Sequence, residues 1–156
     1  MNTLDGETWG ADWAWSLPLI AVNVVVHVLV LGFVTEQVDR VGIRLRGHRR
    51  FALIFAMVMG VTVTLATILH GVEAAIWAVA YRLLAGFPST KLAMLYSLSA
   101  MTSYGNSSIS LPKEWRLMGA LEALNGMLLF GLSTAFLFAM IQRIRPGSRS
   151  PTGRSL

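Results

Sequence analysis

The chain has 156 residues, of which 54% are hydrophobic and 13% charged, with a mean hydropathy of +0.60 and a formal charge of +5. Soluble domains carry about 25% charged residues, so the composition points to a membrane protein of one domain. Cysteine is absent, which excludes a disulfide framework, a thiolate metal site and a cysteine nucleophile.

Residues 1–12 carry Asp5, Glu7 and Asp12 and read as an extracellular N-terminus. The run from Trp13 to Val34 contains no Asp, Glu, Lys or Arg, and His27 is its single ionisable residue. At the α-helical rise it covers about 33 Å, enough for one crossing, so a transmembrane helix is expected over 13–35. A secretory signal starts with basic residues, and none precedes this run, so the helix is expected to be retained. A basic loop follows at 36–50, with Arg40, Arg44, Arg46, Arg49 and Arg50. A second helix is expected over 51–82, its apolar run interrupted by His70 and Glu73.

Lys91 to Ser103 is too short to cross a bilayer and fits a re-entrant segment, with a helix at about 91–102. It runs into the polar turn Thr102-Ser103-Tyr104-Gly105-Asn106-Ser107-Ser108-Ile109, which apolar sequence flanks on both sides. Non-helical backbone at membrane depth survives only where it is buried in protein or lines water. A loop of this kind presents carbonyl oxygens to a dehydrating ion, and the chain reads as a channel subunit. A third crossing is expected over 116–141, with Glu122 its one acid, followed by a tail at 142–156 of disordered, basic composition.

The positive charge sits beside the apolar runs, in the 36–50 loop and at Arg143, Arg145, Arg149 and Arg154. Such placement sets orientation and attracts anionic head groups, and gives no reason to expect nucleic acid. Both basic segments are expected to be cytoplasmic, which puts the N-terminus and residues 82–116 outside. Trp9, Trp13, Trp15, Trp77 and Trp115 then fall near the outer interface, as an aromatic belt would.

From Leu95 to Leu137 the chain resembles the tetrameric pore-loop cation channels, specifically the potassium-channel pore module. The family joins a pore helix to the sequence Thr-Val-Gly-Tyr-Gly-Asp and then to an inner helix. Here Leu95-Tyr96 opens the pore helix, Ser103-Tyr104-Gly105-Asn106-Ser107-Ser108 occupies the filter register, and Ile109 follows. Trp115-Arg116-Leu117 begins the inner helix, Gly126 lies at the hinge position, and Phe130-Gly131-Leu132 with Thr134-Ala135 occupies the cavity-lining turn. With the helix from Phe51, the resemblance covers about two-thirds of the chain, and helix 13–35 is an addition to the two-helix module.

The resemblance implies an all-α membrane homotetramer. Each subunit would give three transmembrane helices, a re-entrant pore helix and a filter loop, within a pore module spanning 51–141. It also implies a filter at Ser103, Tyr104, Gly105, Asn106 and Ser107. The departures lie in the outer half of that filter: Ser107 replaces the second glycine, Asn106 the bracing tyrosine and Ser108 the outer acid. Weak or altered K⁺ over Na⁺ selectivity is therefore expected. A K⁺-selective channel and a non-conducting scaffold or regulatory subunit are the alternatives. The expected location is a bacterial inner membrane.

Individual residues carry more than one reading. Gly126 is either a gating hinge or a small residue that permits close helix packing. Phe130, Thr134 and Phe138 recur at i, i+4 and i+8 and share a face, either a cavity lining or a helix seam. Glu122, an ionisable residue in an apolar helix, is expected to brace the pore helix through Ser97 or Ser99. Asn125 is expected in the same polar layer. His70 and Glu73 share a helix face, as a fixed hydrogen bond behind the filter or a proton-sensitive latch. Two ligands without a third fall short of a metal site, and His27 reads as packed or hydrogen-bonded. No glycine-rich phosphate loop, His-Glu-x-x-His or Gly-x-Ser-x-Gly is present. The chain is thus not expected to be an enzyme, and no cofactor is expected beyond permeating K⁺ and Na⁺.

Overall fold

A computed structural model describes residues 3–45, 51–105 and 109–144. Four α-helices follow in order: α1 (Thr3–Leu45), α2 (Phe51–Leu84), α3 (Thr90–Met101) and α4 (Arg116–Ile144), the last preceded by a 3-10 turn at Lys113–Trp115. No strand occurs among the described residues. Within α1, α2 and the final 3-10 turn plus α4, the stretches Trp9–Val38, Ala52–Leu84 and Lys113–Arg143 are long and apolar enough to cross a membrane. A helix suits apolar surroundings because every interior backbone group finds its partner within the segment. The hydroxyls follow the same logic: Thr35, Thr62, Thr64, Thr67 and Thr134 each donate to the carbonyl four residues back.

α1 differs from the sequence expectation in length. Helix continues through residues expected to be an N-terminal segment and part of a loop, because nothing between Thr3 and Leu45 ends it, and Pro18 lies inside the helix. Its 43 residues exceed what the roughly 30 Å hydrocarbon layer requires. Asp12 is buried and bonded to the backbone of Met118 in the first turn of α4, where a helix N-terminus favours a carboxylate.

The short helix α3 lies against both α2 and α4. Ser89 caps it by accepting the Leu92 N–H at 3.2 Å, and Arg82 bonds the Phe87 carbonyl in the connection before it. Beside α3, Trp77, Ala78, Tyr81, Phe87, Ala93, Leu111 and Met118 form the largest buried cluster. Tyr96 meets Tyr81 edge-on, with ring centroids 5.1 Å apart. Trp77 is fully buried in this cluster, whereas Trp9 and Trp15 are exposed. The belt expected from the sequence therefore loses Trp77, whose indole packs between helices. A second cluster, Val34, Val38 and Met140, joins α1 to α4 at the far end. Elsewhere the long helices turn apolar side chains outward, including Leu29, Phe33, Val61, Leu83, Met127 and Phe138, a surface suited to lipid or to further copies of the chain.

Candidate functional site

The first candidate region is the C-terminal end of α3 and the loop after it. The helix closes tightly: Thr102 N–H bonds Leu98 O at 3.1 Å, Ser103 N–H bonds Ala100 O at 2.9 Å, and Gly105 N–H reaches back to Ser99 O at 3.3 Å. Two residues adopt left-handed backbone, Ser103 (φ 54°) and Gly105 (φ 67°). Such conformations strain a side-chain-bearing residue and persist where the surroundings hold them. Tyr104 between them is 84% exposed. Asn106 and Ser107, the remaining expected filter positions, lie outside the described residues together with Ser108. So do residues 46–50 of the basic loop and the tail from Arg145.

α3 is held from two sides by one carboxylate. Glu122 of α4 is fully buried; one oxygen accepts from Ser97 Oγ of α3 at 2.5 Å and the other from Tyr81 Oη of α2 at 2.6 Å. Ser97 Oγ also lies 2.7 Å from the Ala74 carbonyl of α2. Ser99, the other expected partner, instead donates to Leu95 O within α3. Three helices are thus joined through one buried polar layer. Asn125, one turn from Glu122, is also fully buried, but its amide has no partner among the described residues.

Gly126 lies against the end of α3. A Cβ there would overlap the Met101 carbonyl and lie 2.7 Å from Met101 Cα. α4 runs unbroken through this position, so the glycine serves close approach of two backbones. Gly131 has open space around it. Phe130 and Phe138 are exposed (42% and 61%), and Thr134 lies between them on the same outward side of α4.

A second polar cluster joins α1, α2 and α4. His27 Nδ1 is 2.8 Å from Glu73 Oε1, and His70 Nδ1 is 3.1 Å from Glu73 Oε2. On the far side of both rings, the Ser133 hydroxyl lies 3.2 Å from each Nε2. His27 and Glu73 are fully buried and Ser133 nearly so; Phe130 stacks on His70 with centroids 4.4 Å apart. Glu73 and His70, expected behind the filter, therefore direct their side chains toward α1 and α4.

Sequence reasoning placed Glu122 beside Ser97 but missed Tyr81, Ser133 and the meeting of His27 with His70 and Glu73. For His27 a signal existed: it is the lone ionisable residue in the first apolar run, a costly placement without partners. Tyr81 and Ser133 carried none, since both are ordinary in membrane helices. No protein-family model, curated protein or solved structure matches the chain.

Proposed function

We propose that the chain is the subunit of a passive cation channel. Four copies would surround a pore at the loop 103–107, conducting monovalent cations with weak K⁺ over Na⁺ selectivity. The observation that carries this reading is the left-handed loop at the end of α3, a helix too short to cross and braced by Glu122 and Tyr81. An ion sheds water against oxygens that replace its hydration shell, and the bracing supports the helix end that leads into this loop. The C-terminal end of α3 adds a partial negative charge. Four-fold assembly follows from the resemblance of residues 95–137 to potassium-channel pore modules, because one loop cannot encircle an ion. The outward face with Phe130, Thr134 and Phe138 then lines the cavity. K⁺ and Na⁺ are the permeating ions, and anionic lipid head groups meet the basic loop and tail.

The test is current through purified protein in liposomes with opposed K⁺ and Na⁺ gradients. A reversal potential near zero with current present is the expected result. A strongly K⁺-biased potential would replace weak selectivity by a rebuilt K⁺ filter. Absence of current across voltage and pH would overturn the channel reading in favour of a non-conducting subunit. The double substitution Asn106→Tyr, Ser107→Gly should then restore conduction if the filter alone had decayed.

A further inference from the structure

The ring formed by His27, Glu73, His70 and Ser133 raises a proton-count problem. Both Nδ1 atoms face the Glu73 carboxylate and both Nε2 atoms face one hydroxyl. Two neutral rings supply three hydrogen bonds: His27 Nδ1–H donates to Glu73, Ser133 O–H donates to His27 Nε2, and His70 Nε2–H donates to Ser133 Oγ. No proton is left for the fourth contact. His70 Nδ1 then faces Glu73 Oε2 at 3.1 Å as a bare lone pair, and both atoms are buried without a hydrogen-bond partner.

A divalent cation between the two facing lone pairs removes this difficulty. We propose that His27, His70 and Glu73 form a binding site for a late first-row divalent ion of the Zn²⁺ type, fastening α1 to α2. One ligand atom from each residue lies within 4.8 Å of the other two. Donors on a tetrahedral ion with bonds of about 2.0–2.1 Å stand roughly 3.3 Å apart; each Nδ1 lies near that range from one oxygen of Glu73, His27 from Oε1 at 2.8 Å and His70 from Oε2 at 3.1 Å. With the ion on both Nδ1 lone pairs, the rings are neutral and each keeps its Nε2 proton. Ser133 Oγ accepts both of those protons with its two lone pairs. A bound imidazole commonly donates its other N–H to such a partner, which fixes ring and tautomer. Two imidazoles and a carboxylate favour Zn²⁺, Cu²⁺ or Ni²⁺ over Mg²⁺ or Ca²⁺. Water takes the fourth position beside His70, the least buried of the three ligands.

The proposal concerns the attachment of α1 and does not depend on ion conduction. Full-length protein, stripped with a chelator and kept in detergent, is titrated with Zn²⁺ and Co²⁺ by calorimetry and visible absorption. X-ray absorption of the Zn²⁺ form then counts imidazoles. The expected result is one ion per chain with two imidazoles among its ligands. His27→Ala and His70→Ala should each weaken binding by more than about 100-fold, and Ser133→Ala by about 10–100-fold. His48→Ala, the third histidine of the chain, should leave binding intact. No stoichiometric binding, one imidazole or none around the ion, or binding lost in His48→Ala would overturn the site. The imidazole count comes from unmodified protein, so a variant that fails to fold leaves the test decisive. Flux is not read at any step, so failure here and failure of the channel reading are separate results.

Discussion

Two fully buried glutamates tie helices together in different ways. Glu122 gathers hydroxyls: Ser97 and Tyr81 each donate one proton, and both of its oxygens are satisfied at 2.5 and 2.6 Å. Glu73 gathers imidazoles and leaves one oxygen without an aligned donor. The donor chemistry explains the difference. A hydroxyl carries a proton to a carboxylate and is a poor ligand for late metals, so the Glu122 layer closes on itself and serves as a brace. An imidazole nitrogen offers either a proton or a lone pair, so the Glu73 layer can receive an ion. The comparison separates a part that holds the candidate loop in place from a part that holds α1 against the rest.

The strongest way to break this comparison is Glu122→Ala. The Tyr81 hydroxyl would lose its acceptor at about 1–3 kcal/mol, and the truncated side chain would leave a cavity besides, giving roughly 2–5 kcal/mol in all, while Ser97 keeps the Ala74 carbonyl. Glu122→Gln retains an acceptor oxygen and should lose about half as much. Thermal unfolding in detergent reads the order, and under the proposed channel function loss of current should follow the loss of α3 bracing. If Glu122→Ala unfolds at the temperature of the parent, the layer is not a brace.

A smaller effect is expected at the contact between α4 and α3. Gly126→Ala sets a methyl group against the backbone of Met101, where neither side can give by rotating a side chain. Overpacking of this kind costs about 1–3 kcal/mol. Gly131→Ala, five residues along the same helix and facing open space, should shift stability by no more than about 0.5 kcal/mol. Equal responses at the two sites would mean that glycine at 126 acts through helix flexibility rather than through the approach of α3.

These expectations also mark what the sequence made legible. The apolar runs were long enough to reveal three helices, and the short span from Lys91 revealed α3, because length against a bilayer is a one-dimensional property. Glu122 with Ser97 was legible because a lone acid in an apolar helix must find donors. Helix ends were not: α1 continues past both limits expected for it, since polar residues at 3–12 and 36–45 do not break a helix. Trp77 was read as an interfacial residue and is a core residue, because residue type alone does not say which side of a helix faces protein. The cluster of His27, His70 and Glu73 needs two helices brought into register, and no spacing along the chain encodes the distance between residues 27 and 73.

The mildest perturbation is the sharpest for function. Gly105 has φ 67°, and a Cβ built there meets nothing within 4 Å in the chain. Gly105→Ala is thus resisted by backbone conformation alone, at about 1–2 kcal/mol for a left-handed residue with a side chain. That local cost falls on the loop and leaves the Glu122 layer untouched, so the unfolding temperature should move less than with Gly126→Ala. If carbonyls at 103–107 line an ion path, relaxing Gly105 toward negative φ rotates the adjoining peptide groups and changes which oxygens face the ion. The reversal potential under opposed K⁺ and Na⁺ gradients should then shift while the elution volume on a sizing column stays that of the parent. An unchanged potential, with current of parental size, would place the ion path away from this loop and leave α3 as a packing element only.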